Sequence, residues 1–128
     1  MKVSVIIPSL NPDNKLVAVV DALLVEGFKD IIIVNDGSDE EHMAPFNEVA
    51  AHSECTILTH EVNKGKGRGL KTAFEFCLEN RKDIDGVVTV DGDNQHRAKD
   101  IKKCSETITS PEIRGNIGVR RCLVGAMH

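Results

Sequence analysis

The segment VSVIIPSLNP, residues 3–12, decides the fold. From Val3 to Pro8 it is apolar apart from Ser4, with no regular alternation of apolar and polar positions. A strand with one wet face alternates with a period of two. A near-continuous apolar run is instead expected of a strand covered on both faces, as in a parallel sheet. Directly after it, Pro12 and Asp13 open a helix whose Leu16, Val19, Val20, Leu23 and Leu24 follow the i, i+3, i+4, i+7, i+8 spacing of one buried stripe. Gly27 ends that helix.

The same alternation continues along the chain. Ile31 to Val34 reads as a second buried strand, about Glu40 to Ala51 as a second helix, and Thr56 to Thr59 as a third strand. The next helix repeats the first one's spacing with Leu70, Ala73, Phe74, Cys77 and Leu78 inward. Val87 to Val90 is the fourth strand, and a weaker helix with Ile101, Cys104 and Ile108 inward follows it. Strand then helix, four times over, implies right-handed crossovers and a three-layer α/β/α fold around a mostly parallel sheet. Residues 1–109 carry this pattern. Residues 110–128 begin with the turn Ser110-Pro111, are rich in Gly and Arg, and are expected to add a fifth strand near Cys122 to Val124 within a single domain.

Bulk numbers narrow the function classes. At 128 residues, the chain can bury about two thirds of its unfolded surface. A net charge of −4, no Trp, no Tyr and only four Phe argue against a nucleic-acid binder, which needs basic surface and stacking platforms. Cys55, Cys77, Cys104 and Cys122 form no C-x-x-C pair, so they read as small buried hydrophobes in a reducing compartment rather than a zinc site. The opening MKVSVIIPSL has too short an apolar run for a signal peptide, and nothing later approaches a membrane span. A cytoplasmic location is expected.

The polar residues collect in one place. Each strand runs into a polar cluster: Ser9-Leu10-Asn11, then Asn35-Asp36-Gly37-Ser38, then NKGKGRGLK at 63–71, then DGDNQH at 91–96. In a parallel sheet these ends share one edge, where open α/β folds bind ligands. Lys64, Lys66, Arg68 and Lys71 among three glycines at a helix start suit a phosphate, although the same stretch could be a solvated basic turn. Gly65 to Thr72 nearly matches the P-loop pattern, but Leu70 stands where its second glycine is required. Asp91 and Asp93 either cap the following helix or supply hard oxygen ligands for Mg²⁺ or Mn²⁺ opposite the basic loop. Asp36-Gly37 carries a turn reading beside a ligand-binding one, in which Asp36 and Asn11 touch a base or sugar. His96 is either a ligand contact or a surface residue at a helix start, and His42, His52, His60 and His128 show no ligand spacing.

The motif order VSVIIPSLNP, IIIVNDGSDE, NKGKGRGLKTAF, VVTVDGDNQH resembles the family 2 glycosyltransferases of the Rossmann-like GT-A fold across about residues 2–101. The last two motifs look most like the branch of polyprenyl-phosphate sugar synthases. The resemblance implies an N-terminal portion that binds a UDP- or GDP-linked sugar, with a polyprenyl phosphate or glycan as acceptor. It places Pro8 and Asn11 in the nucleotide pocket, Asp36 on the base, Gly65, Lys66 and Lys71 beside base and phosphates, Asp91 at ribose or metal, and Asp93 on the metal. Gln95 and His96 fall on the family's polar pair near the donor. Arg97 departs from the Pro often found there, and Gly69 from the usual Ala. Members of the family run longer and draw their catalytic base from the later portion, so this chain is expected to lack it. Asp100, Glu106 and Glu112 have no recognisable base context. A full-length form would then work at the cytoplasmic face of a membrane.

Two rival readings remain beside this one. A sugar-1-phosphate nucleotidyltransferase would place its Gly/Lys-rich loop after the first strand, whereas here it follows the third. A non-catalytic binding or interaction module would use the tail or an open sheet edge for self-association.

Overall fold

A computed structural model describes residues 3–80, 86–90, 112–114 and 117–121. The element order is β1 (Val3–Ser9), α1 (Asn14–Val25), β2 (Ile31–Asp36), a 3-10 turn (Glu40–His42), α2 (Ala44–Ala50), β3 (Cys55–His60), α3 (Lys66–Asn80), β4 (Gly86–Thr89), β5 (Glu112–Arg114) and β6 (Ile117–Arg121). The strands form one sheet in the order β3-β2-β1-β4-β6-β5. All neighbours are parallel except β5 against β6. The mostly parallel three-layer fold read from the sequence is the fold observed.

Alternate residues of the central strands serve opposite helix layers. Val5, Ile7, Ile31, Ile33, Val88 and Val90 pack with Leu16, Val20 and Leu23 of α1 and with Phe46 and Val49 of α2. Ile6, Ile32, Val34 and Val87 pack with Leu70, Ala73 and Cys77 of α3 on the other face. Each fully buried Val, Leu or Ile contributes about 1.5–3 kcal/mol of transfer free energy. That two-sided burial explains why β1 and β2 contain apolar runs rather than alternating patterns.

Two expectations need correction. The second helix does not run through 40–51: a 3-10 turn and α2 replace it, because Pro45 sits in the first turn of α2. Inside a longer helix, Pro45 would lack its donor and its ring would crowd the carbonyl four residues earlier. Leu78 was expected inward but is 38% exposed, so the buried stripe of α3 ends at Cys77. The added strand lies at Ile117–Arg121, beside β4, and a short antiparallel partner precedes it at Glu112–Arg114. The expected Cys122–Val124 strand and the helix through Ile101, Cys104 and Ile108 lie outside the described residues. Among the described residues, Cys55 and Cys77 form no disulfide, and Cys77 is buried in the α3 layer.

The topology also locates a crevice. From β1 the chain crosses by α1 to β2 and then by α2 to β3, moving toward one edge of the sheet. It returns by α3, on the opposite face, to β4 on the far side of β1. Direction therefore reverses between β1 and β4. The carboxyl ends of strands flanking such a switch point form the usual ligand crevice of open α/β sheets.

Candidate functional site

Asn11, at the loop leaving β1, has φ 48, an unusual conformation that Asn tolerates better than most side chains. Its backbone N–H donates to Ser38 Oγ at 2.8 Å, and its side-chain Oδ1 accepts from the Asp39 N–H at 2.9 Å. The loop after β1 is thereby tied to the loop after β2. Asn35, buried at the end of β2, accepts the Ser38 N–H at 2.9 Å and shapes the turn from below.

The loop after β2 is tied in turn to the loop before α3. Asp36 is only 4% exposed. Its Oδ1 accepts from the Lys64 N–H at 2.9 Å and from His60 Nδ1 at 2.8 Å, while Oδ2 accepts from the Gly65 N–H at 2.9 Å. Burial pushes this carboxyl up, but the hydrogen bonds from His60 and the two amides outweigh it, so Asp36 titrates below its ordinary value. Gly37 lets the two loops touch. With φ 77, it lies so close to its neighbour that an added Cβ would sit 2.4 Å from the Asn63 nitrogen and 2.5 Å from the Val62 carbonyl carbon. Three strand-end loops are thus joined as one unit, with residues 35–39 at its centre.

Pro8 is half-buried on β1, on the α3 side, opposite Gly69. Asn11 and Gly65 are exposed on the rim, whereas Asp36 is buried beneath it. Lys66 begins α3 and Lys71 is exposed one turn further on. Asp91, Asp93, Gln95 and His96 lie outside the described residues, although Asp91 follows directly on Val90, whose N–H extends the ladder by donating to the Ile6 carbonyl at 2.9 Å. Among the described residues no three His, Cys, Asp or Glu side chains are grouped to hold a metal. Ser9 Oγ and Thr89 Oγ1, at the ends of β1 and β4, are buried without a hydrogen-bond partner among the described residues.

The P-loop rejection also holds in three dimensions. Leu70 is buried against the sheet, and Thr72 donates to the Arg68 carbonyl or faces His60 rather than standing ready for a metal. His60 is the residue sequence reasoning missed. It is 8% exposed and bridges Asp36 to Thr72 Oγ1 (2.9 Å) on α3. The signal was present in the alternation of β3: Thr56, Leu58 and His60 share a face, and His60 pairs in register with Asp36.

The chain belongs to glycosyl transferase family 2, whose family model matches residues 4–123. It is 30% identical over 102 residues to an uncharacterized protein of Methanocaldococcus jannaschii, covering 80% of this chain and 40% of the relative. It is 30% identical over 128 residues to the UDP-N-acetylglucosamine--dolichyl-phosphate N-acetylglucosaminyltransferase of Methanococcus voltae, covering 90% of this chain and 50% of that protein. A second uncharacterized M. jannaschii protein is 26% identical over 119 residues, covering 91% of this chain and 51% of its own. The chain thus spans about half the length of the curated relatives it matches. Among the described residues, no helix is long and apolar enough to cross a membrane.

Proposed function

We propose that this chain is the donor-binding part of a glycosyltransferase that transfers a sugar from a nucleoside diphosphate. The observation that carries this reading is the joining of the loops after β1, β2 and β3 into one rim, beside the β1/β4 switch point. Pro8, Asn11, Asp36 and Gly65 would shape the nucleotide pocket, with Lys66 and Lys71 near the phosphates. Asp91 and Gln95 would meet the ribose and sugar side. Asp93, with Asp91, would hold Mg²⁺ or Mn²⁺, whose chemistry there is to neutralise the departing diphosphate. Hard carboxylate oxygens following β4 suit such an ion.

The M. voltae relative's name supports a UDP-linked donor and a polyprenyl-phosphate acceptor, which would put the whole protein at the cytoplasmic face of a membrane. The base that activates the acceptor would come from residues beyond this part. Self-association through edge strand β3 or β5 is a further part of the reading, and a mass measurement in solution tests it. For donor binding, the test is calorimetric titration of the folded chain with UDP- and GDP-sugars, with and without Mg²⁺ or Mn²⁺. Metal-dependent binding that Asp93→Asn weakens supports the assignment. Binding unaffected by that substitution removes Asp93 from its role.

A further inference from the structure

The donor-site reading leaves one buried side chain, His60, without a task. His60 lies under the rim, with Nδ1 2.8 Å from Asp36 Oδ1 and Nε2 2.9 Å from Thr72 Oγ1. An ionised carboxylate only accepts, so Nδ1 carries the hydrogen that faces Asp36. The same Asp36 oxygen receives the Lys64 amide, and the other receives Gly65. Burying an imidazole and a carboxylate together is costly unless both are satisfied, and an apolar pair would fill this space more cheaply. The pair's geometry therefore asks for a role beyond packing.

We propose that His60 is a positioning residue for nucleotide binding: through Nδ1 it donates to Asp36 and so fixes the carboxylate that holds the Lys64 and Gly65 amides against the pocket. The inference rests on the donor-site reading. Without the Nδ1 donor, the carboxylate keeps its two amides but loses the hydrogen bond that fixes its own position, and the loop at 63–65 is free to drift from the ligand.

The test uses the whole chain, with UDP and GDP as probes in the presence of Mg²⁺, and compares His60→Asn, His60→Gln and His60→Leu. An Asn side chain carries its amide nitrogen where Nδ1 stands, and a Gln carries it where Nε2 stands. His60→Asn is expected to bind within roughly threefold of wild type, while Gln and Leu weaken binding by roughly tenfold or more, the loss of one hydrogen bond to a charged group. A role confined to packing would not separate Asn from Gln at equal thermal stability. Wild-type affinity in a folded Leu variant, or equal losses for Asn and Gln, overturns the inference while leaving the donor site standing. Should the Leu variant fail to fold, the Asn–Gln contrast decides the matter alone. If wild type binds neither nucleotide, the donor-site reading itself fails and the inference falls with it.

Discussion

Replacing Asp36 with Asn keeps the shape of the side chain and removes one acceptor. The amide oxygen can stand where Oδ1 receives His60 and the Lys64 N–H, but the amide nitrogen then faces the Gly65 N–H, donor against donor. A hydrogen bond to a charged group is worth about 1.5–3 kcal/mol net. Gly65 keeps its second acceptor, Asn63 Oδ1 at 2.9 Å, which offsets part of the loss. A destabilisation of about 2 kcal/mol is expected. For 128 residues, the unfolding entropy is about 0.27 kcal/mol/K, so the thermal midpoint should fall by about 7 °C at pH 7. The pH dependence has a definite sign. The carboxyl's folded value is lowered, so its contribution is fully present above the ordinary unfolded value near pH 4 and is lost as pH falls through the lower folded one. Thermal unfolding followed by circular dichroism should therefore show the gap between wild type and variant closing in acid. A gap under about 2 °C at pH 7, or one that persists unchanged into strong acid, refutes the description of Asp36 as the clasp of the rim.

Other substitutions probe the same structure. Gly37→Ala combines a left-handed backbone with a Cβ driven into the Val62–Asn63 backbone, so it should cost about 2–4 kcal/mol and weaken nucleotide binding; a chemical denaturation curve unchanged from wild type would contradict the contact. Gly69→Ala should do the opposite, because its Cβ would meet Val34 Cγ1 at 3.5 Å and Pro8 Cβ at 3.8 Å, ordinary contacts, while helix propensity gains about 0.5–1 kcal/mol. A measured loss of stability there would show α3 packed more tightly on β1 and β2 than described. Phe46→Ala empties the largest fully buried side chain among the described residues, on α2, and should cost about 3–5 kcal/mol by urea denaturation, with a loss under 1 kcal/mol arguing that α2 is not seated on the sheet.

The apolar runs at Val3–Pro8 and Ile31–Val34 were legible because two-sided burial leaves its mark on every residue of a strand. The α1 stripe was legible because one-sided burial repeats at helical spacing, and the polar clusters after β1, β2 and β3 followed from strand direction alone. Other features were not readable from periodicity. Pro45 breaks a helix whose apolar spacing runs through it, so the 3-10 turn before α2 follows from a missing donor rather than from pattern. Three of the five residues of the strand Ile117–Arg121 are Gly or Arg, with no apolar run to announce it, and its place beside β4 is a matter of long-range pairing. His60 was passed over because its partners, Asp36 and Thr72, stand 24 and 12 residues away, and only the register of β2 with β3 brings them together. Asp36 was expected at the ligand; what sequence could not reveal is that its carboxylate is already engaged by two amides and an imidazole.

The central claim is that a nucleoside diphosphate sits on the rim formed by these joined loops. The most direct measurement is backbone amide NMR of the isotope-labelled chain, titrated with UDP or GDP in the presence of Mg²⁺. The amides of Asn11, Ser38, Lys64 and Gly65 should shift together and saturate with a single affinity, while those of the α1 C-terminus near Val25 stay still. Saturable shifts confined to any other face of the sheet, or none in a folded sample, would contradict the account.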